Sequence, residues 1–285
     1  MVIRNCKTSI KTLYKSIGTL GGGNHYVEIN HGQNDTQYFI TVHSGSRSIG
    51  RDICCYHQVK IDENCRLDYN DIRKEEKKVN RTHKDAKVRK KIMDEIIAKM
   101  KDELHTKYLE GHEMLDYLVD MIVGQNIASL NRQIMIQKIV EEICKLDTNV
   151  KQVDLKNIME TRHNYIDFKR FILRKGSISA EKGEKCIISL NMRDGILLCE
   201  GKGNEDWNYS SAHGCGRILS RAKVGQLNMT TFKKEMEGVY STCVCEETLD
   251  ESPMAYRNVD LIKKCLVDSV NIIAQLKPVI NCKGF

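Results

Sequence analysis

Hydrophobic and polar positions divide the chain into three textures. Near the start, two short runs, Tyr26-Val27-Glu28-Ile29 and Tyr38-Phe39-Ile40-Thr41-Val42-His43, have β-type composition. The second is rich in β-branched and aromatic residues and ends in a Ser-Gly-Ser turn, the pattern of a strand entering a loop. Residues 52–148 contain no proline, and Ile92, Ile96, Met100 and Leu104 fall on one stripe of an amphipathic helix. Helical character continues through Leu118, Met121, Ile127, Leu130 and Ile134. From about 158 to 225 short strands return, and Cys186–Leu190 and Gly195–Cys199 predict a hairpin around Asn191-Met192-Arg193-Asp194-Gly195. After Pro253 the spacing predicts a helix over about 259–276. Together these elements predict an α+β fold in which a helical block, 66–148, is inserted between two loop-rich segments.

Composition narrows the class. The chain has 285 residues, of which 41% are hydrophobic and 29% charged, so disorder is excluded as the main state. A chain of this size buries roughly three-quarters of its unfolded surface and needs no disulfide or metal to fold. No apolar run approaches the roughly 18 residues of a membrane span. The first residues also lack an apolar signal core. A soluble, cytoplasmic protein without membrane contact is expected. The net charge of +7 is compatible with an RNA partner but does not require one. The run Lys74–Lys91 reads mainly as a solvated helix face, and secondarily as an RNA-facing one. Twelve cysteines without a CxxC pair predict mostly buried, reduced thiols rather than a zinc ribbon.

Histidine placement carries the chemistry. His25, His43, His163 and His213 each sit beside Gly, Ser or Asn in loop-like sequence, while His31, His57, His83, His105 and His112 read as solvated surface residues. Imidazole is both a common metal ligand and a covalent nucleophile. Gly21-Gly22-Gly23 can form an anion-binding nest, Asn24 can donate to a phosphate oxygen, and Glu28 can accept from a base edge. In His43-Ser44-Gly45-Ser46-Arg47, hydroxyls and a guanidinium follow a candidate ligand, a mix suited to phosphate. If a helix starts at His213-Gly214-Cys215-Gly216-Arg217, then Arg217 and Arg221 share one face of it. By pattern alone the chain reads as a metal-dependent enzyme handling phosphates.

At these loops the sequence resembles the RtcB-type RNA ligases, in particular their shorter bacterial and phage-type branch. The matching stretches are SIGTLGGGNHYVEI (16–29), VHSGSRSIG (42–50), RHNYIDFKRFILRKGSISAEKGEK (162–185), NMRDGILLCEGKGNEDWNYSSAHGCGRILSR (191–221), ETLDESPMAY (247–256) and LKPVINCKG (276–284). They occur in the family's order and span nearly the whole chain. The resemblance implies an RtcB-like composite fold, with strands around a metal and guanylate site. It also implies a GTP- and Mn2+-dependent ligase that joins RNA 3′-phosphate or 2′,3′-cyclic phosphate ends to 5′-hydroxyl ends through a histidine–GMP intermediate, in tRNA splicing or RNA repair. The nucleophile would be His213 and the metal ligands His25, His43 and His163. Asn24, Glu28, Asn164, Asn191, Met192, Gly214, Gly216, Tyr256 and Lys283 would hold guanylate, with Tyr256 stacked on the base and Glu28 and Lys283 reading its edge. Arg47, Arg217 and Arg221 would face phosphates or RNA. The implied partners are tRNA halves or cleaved RNA ends and an archease-like activator.

Two departures qualify the resemblance. Cys215 stands where the family's His-Gly-Ala-Gly-Arg motif has alanine. The family's Asp-x-x-Cys-Gly metal motif precedes its GGGNH loop and has no counterpart ahead of that loop here. Asp52 with Cys55 and Asp62 with Cys65 have the spacing, but they follow the HSGSR loop and lack the glycine. The expectation is weak manganese binding by histidines alone, with a substitute ligand or a separate N-terminal fragment completing the site. Two alternatives follow: a truncated or split-gene fragment that binds GMP or RNA but is inactive without that piece, and a metal-dependent phosphoesterase.

Overall fold

The computed structural model describes residues 7–32, 37–64, 69–103, 108–146, 158–219, 225 and 227–284. It separates into two units, one containing Ser48–Asp120 and the other Lys11–Arg47 with Met121 onward.

In the second unit, strand β1 (Tyr26–His31) pairs antiparallel with β2 (Tyr38–His43), as the β-type runs predict, with Tyr26 opposite His43. Farther along the chain come β3 (Asn164–Asp167), β4 (Ile172–Lys175), β5 (Ser177–Ser179), β6 (Lys185–Ser189), β7 (Ile196–Gly201), β8 (Ser210–Ala212) and β9 (Val270–Lys283). The main sheet runs β2-β1-β9-β7-β6, with β3 paired to β4 and β5 to β8. The predicted hairpin is β6–β7, closed by Leu190 N–H to Gly195 O at 2.8 Å and Gly195 N–H to Asn191 O at 2.9 Å. Ile188 and Leu197 are fully buried beneath it with Ile178, Leu190 and Leu266. Each such side chain contributes about 1.5–3 kcal/mol by leaving water.

The predicted helix over 259–276 is corrected. Helix occupies only Val259–Cys265, capped by Asn258 Oδ1 accepting from Asp260 N–H at 2.9 Å, and the chain then turns into β9. Val270, Ile272 and Ile273 suit either period. The difference is that β7 pairs along Val270–Leu276 and β1 along Lys277–Lys283, so the sheet takes up the backbone over the whole length of β9. Pro278 sits in this central strand opposite Asn30, where the register with β1 shifts. A bulge is a place where a strand interior tolerates a missing N–H.

The first unit is helical. It contains most of α2 (Arg47–Asn64, of which Arg47 itself lies in the second unit), then α3 (Tyr69–Thr82) and α4 (Ala86–Glu103), followed by the start of α5 (Gly111–Leu146). Asp85 Oδ1 caps α4 by accepting from Lys87 N–H at 2.7 Å and Val88 N–H at 3.1 Å. The amphipathic stripe lies on α4, and its last member, Leu104, falls outside the described residues. His57 is not a surface residue. It is 4% exposed, and its Nε2 meets Asp120 Oδ2 at 2.9 Å; the polar neighbours that suggested exposure lie on the other faces of its helix. The cysteine expectation also changes. Of the ten described, all with free thiols, Cys186, Cys199, Cys215 and Cys243 are buried, while Cys54, Cys55, Cys144 and Cys265 are exposed. No helix among the described residues is long and apolar enough to cross a membrane.

Candidate active site

The glycine-rich loop reaches its shape because Gly21 has φ +87°, and a Cβ there would stand 1.7 Å from the Arg47 guanidinium. Arg47 thus lies against this loop, with Nε donating to Thr19 Oγ1 at 3.2 Å. Asn131, fully buried on α5, ties this loop to the His43-Ser44-Gly45 loop. Its Oδ1 accepts from Gly18 N–H at 2.7 Å and Thr19 N–H at 3.2 Å. Its Nδ2 lies 3.0 Å from Ser44 Oγ and 3.1 Å from Gly45 O. Arg132 adds a bond to Ser44 O at 2.8 Å.

These loops bring the four singled-out histidines together. The ring centroids of His25 and His43 are 5.8 Å apart, those of His43 and His163 5.2 Å, and His163 stacks on His213 at 4.6 Å. His213 Nδ1 donates to Gly176 O at 2.6 Å, and Gly176 N–H donates to His163 O at 2.8 Å. With Nδ1 carrying the proton, the lone pair of His213 is on Nε2. Ser189 brackets the same segment, donating to His213 O at 3.1 Å and accepting from Cys215 N–H at 2.9 Å. Gly214 is required here, because a Cβ would stand 2.9 Å from Ser189 O. Residues 213–219 are extended and bent rather than helical, so the conditional helix with Arg217 and Arg221 on one face does not form at His213; Arg221 lies outside the described residues.

Burial keeps the other three rings neutral. It lowers His25 from its ordinary value against the opposing Leu20 carbonyl bond, and lowers His43 further, helped by His163. Burial first, and then His213, bring His163 to about 4. Neutral imidazoles are the form that binds metals. The Nε2 atoms of His43 and His163 are 3.2 Å apart, and two nitrogens about 2.1 Å from one divalent ion would stand about 3.0–3.4 Å apart. The pair therefore fits as two ligands. Among the described residues, however, no group of three or more His, Cys, Asp or Glu is arranged to hold a metal ion. His163 Nδ1 is also buried without a hydrogen-bond partner, where a metal-bound imidazole usually donates.

A second cluster centres on Glu251, which is 2% exposed. Its carboxylate accepts from Tyr256 OH at 2.6 Å, Arg217 Nη1 at 3.0 Å and Lys283 Nζ at 3.2 Å. Burial pushes this carboxyl up, but Lys283, the Tyr256 hydroxyl and Arg217 outweigh it and hold it below the usual range. The Arg217 guanidinium lies 5.6 Å from the Tyr256 ring centre, and its Nη2 is buried without a partner. Glu28, also 2% exposed, accepts from Asn281 Nδ2 at 2.7 Å and Asn30 Nδ2 at 2.8 Å. Burial raises it to about 7 despite those amides and Lys283.

The other candidates take varied places. Asn24 is exposed. Asn164 opens β3, and its Oδ1 accepts from Gly176 N–H at 3.0 Å. Asn191 Oδ1 shapes the β6–β7 turn by accepting from Arg193 and Asp194 N–H, each at 3.0 Å. Met192 is core, packed with Phe232 and Met236. Gly216 has φ +67°, and its carbonyl accepts from Arg257 N–H at 3.1 Å.

The tRNA-splicing ligase RtcB family matches residues 4–284, nearly the whole chain. The chain belongs to the RtcB family. It is 30% identical over 286 residues to the RNA-splicing ligase RtcB of Escherichia coli K12, covering 95% of this chain and 62% of that protein. It is 25% identical over 316 residues to the tRNA-splicing ligase RtcB of Nanoarchaeum equitans, covering 94% and 60%. The chain thus spans about three-fifths of the length of these relatives. For an RtcB-family chain, the sequence reading missed Asn131, Arg132 and Glu251. Glu251 lay within a quoted stretch, ETLDESPMAY, whose only assigned residue was Tyr256. Asn131 and Arg132 sat unremarked in a helical pattern.

Proposed function

We propose that this RtcB-family chain is a GTP-dependent RNA ligase that joins 3′-phosphate or 2′,3′-cyclic phosphate ends to 5′-hydroxyl ends. The observation that carries the reading is the fixed tautomer of His213, with Nδ1–H on Gly176 O and the Nε2 lone pair available. His213 Nε2 attacks the α-phosphorus of GTP. The N–P bond forms, the bond to the β-phosphate oxygen breaks, and pyrophosphate leaves. An oxygen of the RNA 3′-phosphate, produced from a cyclic end by water, then attacks that phosphorus and releases the histidine. Finally the RNA 5′-hydroxyl oxygen attacks the activated 3′-phosphorus and loses its proton, and GMP departs.

The chain's own residues bind and orient. Lys283 and Tyr256, set by Glu251, together with Glu28 hold the guanine, and Arg47 and Arg217 face phosphates. A divalent ion such as Mn2+, held by His43 and His163 with His25 beside them, would supply neutralisation of phosphate charge. The reading extends to one ligase domain with 66–148 as a helical insert, a cytoplasmic location, tRNA halves or cleaved RNA as substrate and an archease-like activator.

Incubation with GTP labelled at the α-phosphate and Mn2+ tests it. Acid-labile label should appear on the protein and not on His213→Ala. Absence of label on the folded wild type would overturn standalone ligation.

A further inference from the structure

The turn that closes the β3–β4 hairpin is Phe168-Lys169-Arg170-Phe171, two aromatic rings flanking two cations. Phe171 is 81% exposed and Phe168 36%. Phe171 also has φ 53°, a left-handed conformation that glycine or asparagine adopts readily and a bulky side chain rarely does. Folding thus gains nothing from a phenyl ring here, since it is strained at the backbone and bare to water. Such strain, where it is seen, points to function.

The hairpin stands on the histidine cluster. His163 immediately precedes β3, and Gly176, which holds both His163 O and His213 Nδ1, immediately follows β4. At about 3.3 Å per residue, the four residues of β4 place the turn about 13 Å from Gly176. The stem is rigid. Arg174, 1% exposed, donates to Asp167 Oδ2 at 2.5 Å, Ser210 Oγ at 3.0 Å and Tyr165 OH at 3.1 Å. Arg170 is fixed by Glu181 and lies 3.5 Å over the Tyr209 ring, while Lys169 is exposed. Residues 162–185 carry seven Lys and Arg against three Asp and Glu.

We propose that this turn grips single-stranded RNA just behind the 3′ end delivered to His213, with the phenyl rings of Phe168 and Phe171 stacking on bases and Lys169 meeting the backbone phosphates. The proposal rests on the ligase reading. It commits to a single strand because a duplex keeps its base faces stacked and offers none to a ring.

The test is fluorescence anisotropy with a labelled, 3′-phosphorylated single strand of roughly ten nucleotides, and a duplex of the same sequence as comparison. The Phe168→Ala/Phe171→Ala double variant should bind the single strand at least about tenfold more weakly, with duplex binding little changed. Lys169→Ala should weaken binding less and reduce the slope of log affinity against log salt by about one. Phe171→Asn suits the left-handed backbone, so it should fold like the wild type and still lose affinity. Wild-type affinity in the double variant, or an equal loss for duplex and single strand, would overturn the grip while leaving the ligase reading intact. A wild type that binds no RNA would overturn both.

Discussion

Gly176 donates its N–H to the His163 carbonyl and accepts His213 Nδ1–H at its own carbonyl, at 2.8 and 2.6 Å. The backbone of one residue therefore sets the spacing of two stacked imidazoles and decides which nitrogen of His213 is free. If His213 becomes guanylylated, phosphorus must be bound to Nε2. Phosphorus–nitrogen NMR of ring-labelled protein should show the phosphoramidate on Nε2, and a signal on Nδ1 would refute this arrangement.

Glu251→Gln leaves Lys283 and Arg217 without their shared carboxylate. Removing one partner of a buried ion pair costs about 3–5 kcal/mol, and urea unfolding at neutral pH should show a loss of that order. Because this carboxyl is held below its ordinary value, its stabilisation is present above the unfolded pKa and is lost as pH falls through the folded one. The gap between wild type and Glu251→Gln should therefore close as the pH falls below the unfolded value of 4.5. A gap independent of pH would count against it.

Glu28 behaves in the opposite sense. Its folded value of about 7 lies above the unfolded 4.5, so the folded state binds the extra proton between those limits. Stability contributed by this group is full below about pH 4.5 and declines as pH rises to about 7, by roughly 3 kcal/mol. In Glu28→Gln that decline should disappear, because the amide binds no proton in this range. Urea midpoints across pH 4 to 8 decide it; identical profiles for the two proteins would refute the assignment.

Asn131→Leu keeps the volume but strips partners from the N–H groups of Gly18 and Thr19 and from Gly45 O. An unsatisfied group shielded from water costs about 1–3 kcal/mol; Gly18 and Gly45 are half-buried and Thr19 is exposed, so a loss of about 2 kcal/mol is expected by urea unfolding. A change under 1 kcal/mol would mean that water replaces the amide without cost.

The sequence alone determined the site-bearing loops. Their chemistry depends on residue types in fixed local order, Gly21 beside Asn24 and His25 or His213 beside Gly214, and local order survives folding. It also determined β1, β2 and the β6–β7 hairpin, whose alternation and turn residues act over a few positions. What it could not determine depends on neighbours distant along the chain. Val270–Leu276 reads as helix until β7 pairs along it. His57 reads as a surface residue until Asp120, 63 positions away, meets it in the interior. Glu251 is one carboxylate in a stretch without periodicity, and it becomes the hub of a buried cluster only because β9 brings Lys283 across 32 positions of sequence. Periodicity and turn chemistry are local free energies, whereas burial and ion pairing are set by which segments the sheet brings together.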